Sequence, residues 1–169
     1  MTRLRAASLN LSGAAEPGVW ARFTHRMKQW SEHEGIHVVL GQEHNLPPSE
    51  GESAQRIAIA RGFHLVMSHA EKGEDGTHRG GTFVLINMNT TEWPDTREKQ
   101  ENMVVHSEPG ATVVKLGWHG REITVGSIYA PCKPTPRLNF LQNMRSWVKP
   151  NMFLGGDWNC VPDVTSVSY

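Results

Sequence analysis

An α/β (α+β) fold built on mixed sheets, rather than a simple Rossmann sheet, follows from three features of this 169-residue chain. Amphipathic stretches alternate with short apolar runs toward both ends, which is βα order. Two apolar stretches in the middle meet at His119-Gly120, which is hairpin order. Near the C-terminus the run Met152-Phe153-Leu154 leads into Gly155-Gly156-Asp157-Trp158-Asn159. A buried strand there puts Asp157 and Asn159 on one face at its C-terminal mouth, where α/β sheets hold ligands. Taken alone, the same five residues also fit an ordinary turn.

The elements follow in order. Leu4 to Leu11 alternates and reads as a strand that delivers Asn10 near its end. Pro17-Gly18 breaks the chain. Trp20, Phe23, Met27 and Trp30 recur at helical spacing, predicting a helix from Val19 to His33 that stops at Gly35. The periodicity makes its tryptophans core residues ahead of binding platforms. Ile36 to Leu40 is a nearly continuous apolar run, read as a buried and parallel strand. Pro47-Pro48 marks a loop, and Ser53 to Ala60 a second helix stopped by Gly62. Phe63 to Met67 is a third strand. The polar, glycine-bearing stretch Glu71 to Arg79 reads as a flexible loop before a fourth strand, Thr82 to Ile86.

The polar stretch Asn87 to Asn102 gives no assignment beyond a turn at Trp93-Pro94. Met103 to His106, Ala111 to Trp118 and Glu122 to Ala130 read as three strands. Leu138, Leu141, Met144 and Val148 predict the buried face of a last helix, Pro136 to Val148, with Pro150 just past its end. Leu40-Gly41-Gln42-Glu43-His44-Asn45 echoes Leu154-Gly155-Gly156-Asp157-Trp158-Asn159. Each follows an apolar run preceded by an amphipathic helix, which points to a structural duplication.

The length fits one domain over residues 1–169, or most of a larger one. No apolar run approaches the ~20 residues of a membrane span. The N-terminus lacks a signal-peptide core, so an intracellular protein of nucleus or cytoplasm is expected, not a secreted one. Cys132 and Cys160 are in no metal-type spacing, and two free thiols fit a reducing compartment. Lys plus Arg equals Asp plus Glu at 17 each. That balance gives no support to tight non-specific DNA binding, and it leaves room for an enzyme that holds phosphates briefly. The basic groups Arg22/Arg26/Lys28 and Lys133/Arg137 read as solvated faces.

Four strand ends thus carry polar groups: Asn10, Glu43, Asp157 and Asn159. A lone carboxylate such as Glu43 at the end of an apolar strand is costly unless paired or metal-bound. A hard cation such as Mg2+ takes one or two carboxylates and keeps several waters. Tyr129 ends another strand, either as a hydrogen-bond donor to a phosphate or as a half-buried core tyrosine.

The ordered set Ser8 to Asn10, Gly41 to His44, Arg79 to Ile86, Ser127 to Pro131, Arg137 with Phe140, and Gly155 to Asn159 resembles the endonuclease/exonuclease/phosphatase superfamily. It is most similar to the apurinic-type endonuclease domain of LINE-type (non-LTR) retrotransposon proteins. The resemblance covers almost the whole chain. It implies a four-layer α/β/β/α sandwich of two mixed sheets and a hydrolase, a metal-dependent phosphodiesterase acting on DNA with Mg2+ or Mn2+. Glu43 would be the main metal ligand, with Asn10 its metal- or phosphate-side neighbour. Tyr129 would contact the scissile phosphate, Asp157 would orient or deprotonate the attacking water, and Asn159 would stabilise the transition state. A reverse transcriptase domain would accompany it in the parent polyprotein.

Two departures qualify what the resemblance implies. Ser12 stands where some members carry an acid. The family's later Ser-Asp-His motif has no counterpart in this sequence, which implies that the C-terminal third is missing, the second sheet incomplete and turnover weak or absent. Asp163 is a weak candidate for a substrate-side loop. A small-molecule or lipid phosphatase of the same superfamily, and a non-catalytic binding protein or remnant on the same scaffold, are the alternatives.

Overall fold

The computed structural model describes residues 3–16 and 18–160. Pro17, part of the expected chain break, and Asp163 lie outside the described residues. Two parallel β-α-β units frame the chain. In the first, β1 (Ala6–Asn10) leads through α1 (Val19–Glu34) to β2 (Val38–Gln42), which pairs with β1 in parallel. After a short 3-10 turn, α2 (Gly51–Ala60) and β3 (Phe63–Met67) follow. A small hairpin of β4 (Glu71–Lys72) and β5 (His78–Arg79) precedes β6 (Thr82–Asn87). Beyond it come α3 (Arg97–Met103), β7 (Val104–Glu108), β8 (Ala111–Trp118) and β9 (Arg121–Tyr129). The second unit is β9, α4 (Pro134–Met144) and β10 (Met152–Asp157), with β10 parallel to β9. The two echoing motifs therefore sit on corresponding strands, β2 and β10.

The strands form two four-stranded mixed sheets, in the orders β1-β2-β6-β3 and β10-β9-β8-β7. Alternation along β2 and β6 sorts their side chains to two sides. Val39, Phe83 and Leu85 join Trp20, Met27, Ala54 and Ala58 under α1 and α2. Val38, Leu40, Val84 and Ile86 meet Val114, Leu116 and Val125 of the second sheet. On the far side Ala111 and Ile128 pack under Met144, Phe140 and Trp147. The layers are thus helices, sheet, sheet, helix. Trp20 is core, as its spacing predicts, and its indole N–H donates to Ala54 O at 3.0 Å, tying α1 to α2.

Three expectations change. The stretch Glu71 to Arg79 is a hairpin and not a free loop. Asp75 accepts from Thr77 N and Oγ1 and from Arg79 Nη2, which closes the turn. The unassigned polar stretch contains α3, a helix whose composition hides it because it buries little. The buried face of α4 is also different. Met144 is buried, but Leu138 is 56% and Leu141 37% exposed, while Phe140 and Trp147 pack inward. Positions 140, 144 and 147 have the same helical spacing, and two aromatic rings bury more area than two leucines.

In the first sheet β2 lies between β1 and β6, whereas among the described residues β10 pairs on one edge only. Phe153, on β10, is 56% exposed. Among the described residues no helix is long and apolar enough to cross a membrane.

Candidate active site

Four strand ends converge at one rim of the sandwich. Asn10 ends β1, Glu43 follows β2, Tyr129 ends β9 and Asp157 ends β10. Parallel pairing within each unit brings the C-terminal ends of its two strands to the same side, and the sheets face each other there. The centre of the cluster is the Asn10 carboxamide. Its Nδ2 donates to Glu43 Oε1 at 2.7 Å and to Asp157 Oδ2 at 3.2 Å. Ser12 N donates to Asn10 Oδ1 at 2.9 Å, so the oxygen faces Ser12 and the nitrogen faces the carboxylates. One donor group therefore holds two acids from opposite sheets together.

Each acid has a second partner. The Tyr129 hydroxyl donates to Glu43, and burial first, then that bond, pushes the phenol pKa well above its ordinary value. The other Asp157 oxygen, Oδ1, accepts from Asn159 N at 3.0 Å. Asn159 lies past the strand in a left-handed conformation, φ 48°, so strand alternation does not place it beside Asp157. Its Nδ2 donates instead to Ala130 O at 2.6 Å.

Glu43 itself has φ 54° and Asn45 φ 55°. This alternating backbone turns Glu43 into the open cleft while His44 points into the core. His44 Nδ1 accepts from Leu46 N at 2.9 Å, so Nε2 carries the proton and donates to Ser68 O at 2.8 Å. Burial lowers the His44 pKa to about 4, and the ring is a neutral structural residue. Gly81 packs on its edge.

The cleft beside Glu43 has a volume of about 420 Å3 and is lined by Glu43, Asn45, Arg79, Gly80, Tyr129 and Phe140, among others. No histidine lines it among the described residues. The sequence reading assigned no role to Asn45, whose Oδ1 accepts from Gly80 N at 2.7 Å, or to Arg137. Arg137 opens α4 and its Nη1 donates to both Cys132 O and Asn159 O, so it is a tie between two site loops and not a solvated charge. Its only sequence signal was its place beside Phe140 at a helix start.

Among the described residues no three His, Cys, Asp or Glu side chains gather into a cage for a metal ion. The donor set fits a different kind of site. One or two hard carboxylate oxygens open to solvent suit Mg2+, which keeps most of its waters. Glu43 is in the cleft, and Asp157 shares the Asn10 donor with it.

At the level of sequence, no family model and no curated protein matches the chain. Solved structures do. An AP endonuclease from Archaeoglobus fulgidus superposes with a TM-score of 0.59 at 17% identity, covering 99% of this chain and 62% of its own. The endonuclease domain of TRAS1, a telomere-specific non-LTR retrotransposon, gives 0.54 at 16% identity, covering 94% and 62%. A mannosyl-6-phosphatase from Bacteroides thetaiotaomicron gives 0.59 at 13% identity, covering 93% and 66%. The chain has the endonuclease/exonuclease/phosphatase fold. It spans less than two thirds of the length of the endonuclease and retrotransposon chains.

Proposed function

We propose that the rim is a Mg2+-assisted phosphodiesterase site acting on DNA, of the retrotransposon endonuclease type. The observation that carries this reading is the Asn10 amide joining Glu43 and Asp157, with Tyr129 on the first acid and Asn159 on the second. The likeness to an AP endonuclease and a retrotransposon endonuclease supports nucleic acid over the sugar phosphate implied by the phosphatase neighbour's name.

Glu43 would hold the metal, which when bound polarises a phosphoryl oxygen and offsets developing charge. Asn10 turns its amide nitrogen toward the two acids, which favours a role in organising them over that of a metal ligand. Tyr129, protonated through the whole physiological range, donates a hydrogen bond to a phosphate oxygen once released from Glu43. Asp157 accepts a proton from, or orients, the attacking water. Asn159 spends its side chain on Ala130 O, and its backbone N–H aims Asp157.

We read the chain as the larger part of such a nuclease domain, a reading supported by its covering 62% of both the AP endonuclease and the TRAS1 endonuclease chains. A reverse transcriptase domain in a longer parent chain belongs to the same reading. Among the described residues no histidine lines the cleft, so general-base help, worth ~10²–10⁴-fold where it is complete, falls to Asp157 alone and slow turnover is expected. The test is single-turnover nicking of supercoiled plasmid carrying abasic sites, with protein in excess. Slow, Mg2+-dependent conversion lost in both Glu43→Gln and Asp157→Asn supports the reading. Conversion that survives both substitutions removes it.

A further inference from the structure

The interface between the two sheets is apolar along most of its length but turns polar beneath the rim. Gln42 and Ser127 are fully buried there, one from each sheet. Gln42 Nε2 donates to Ser127 Oγ at 2.8 Å and to Leu40 O at 2.9 Å, and stands 3.3 Å from Ser8 Oγ. The single Ser127 hydroxyl proton goes to Gly41 O at 2.7 Å, so Ser127 Oγ must accept from Gln42. Both residues have defined donor and acceptor roles, and the bonds run from β2 to β9 and back.

The fourth strand closes on the same point. A Cβ on Gly155 would stand 2.9 Å from Leu40 Cδ1 and 3.7 Å from Ser8 Cβ. Glycine is what lets β10 approach β1 and β2 this closely. A neighbouring link, Thr82 Oγ1 to Thr112 Oγ1 at 2.7 Å, continues the polar seam across the sheets.

The placement of these residues follows one pattern. Ser8 lies two residues before Asn10, Gln42 one before Glu43, Ser127 two before Tyr129 and Gly155 two before Asp157. We infer that Gln42, bonded to Ser127 and backed by Ser8 and Gly155, is a positioning residue that sets how the four rim residues stand relative to one another. Apolar packing fixes the separation of two sheets but leaves them room to slide, whereas directional hydrogen bonds fix their offset. A one-strand shift in offset would part Glu43 from Tyr129 and stretch the Asn10 amide between its two acids. A well-packed apolar seam of similar volume would be about as stable, so the polar seam contributes geometry more than stability.

The importance of this for catalysis rests on the proposed phosphodiesterase reading, but its test reads geometry in metal-free protein and stands whether or not that reading does. Asn10 side-chain amide signals are followed by 15N NMR, assigned through Asn10→Asp. Gln42→Met and Ser127→Ala are expected to shift both Asn10 amide protons and speed their exchange with water about fivefold, the loss expected when one hydrogen bond loosens. Ile86→Val, which trims the same interface at the end away from the rim, should leave them in place while lowering the melting temperature at least as much. If Gln42→Met does not fold, Ser127→Ala, which removes one oxygen, decides. Asn10 signals unchanged in the folded variants, or moved equally by Ile86→Val, overturn the inference.

Discussion

Acidification should weaken the fold through one ring. His44 is fully buried, with both nitrogens engaged by Leu46 N and Ser68 O. Protonating it would place a second proton on Nδ1 against the Leu46 N–H, in a fully buried site. Burial holds its folded pKa at about 4, below the ordinary value of 6.5. Between these values the unfolded chain binds a proton that the folded chain does not, so stability is intact above 6.5 and falls as the pH drops toward 4. The full shift corresponds to about 3 kcal/mol, of which about 2 kcal/mol is already lost at about pH 5. His37 and His64, also lowered by burial, add in the same direction. Urea unfolding at about pH 7.5 and about pH 5 measures the loss, and His44→Gln isolates the ring. The parent should lose about 2 kcal/mol more than the variant across that interval. Equal losses in the two proteins would refute the assignment of a buried neutral His44.

Three further outcomes are expected. Gly81 has φ 77°, and a Cβ there would stand 2.2 Å from His44 Nε2; Gly81→Ala should cost about 3 kcal/mol or more, read by the same unfolding experiment. Mg2+ binding followed by titration calorimetry should be no tighter than millimolar and absent in Glu43→Gln, because one firm carboxylate leaves most of the shell to water; micromolar affinity would mean another ligand set. Replacing Leu138 and Leu141 together by Lys should change stability by no more than about 0.5 kcal/mol per site while reducing concentration-dependent self-association in sedimentation, since both side chains are exposed.

Much of this architecture was legible from residue patterns. The apolar run before Gln42 gave a parallel buried strand, and His119-Gly120 gave a hairpin turn in which both residues have positive φ. The repeated Leu-Gly pattern pointed to the two β-α-β units. Period alone did not choose the buried face of α4, where aliphatic and aromatic stripes had equal claims. The hairpin at Glu71 to Arg79 was hidden because Asp75 closes it with side-chain bonds that no periodicity records. At the rim, the residue types predicted which groups would gather, and strand direction explains why. Their orientations were not readable. The amide of Asn10 is turned by Ser12 N two residues on, and that of Asn159 by the distant Ala130 O, bonds that depend on backbone beyond the strand ends.

The proposed function places a divalent metal at Glu43. Mn2+ titrated into 15N-labelled protein tests it directly, because a paramagnetic ion broadens the amide signals nearest to it. Broadening centred on Asn10, Glu43, Gly81 and Asp157, and lost in Glu43→Gln, is the predicted result. Broadening centred elsewhere, such as on the Glu71 to Arg79 hairpin with its Glu71 and Asp75 carboxylates, or broadening at the rim that persists in Glu43→Gln, would contradict it.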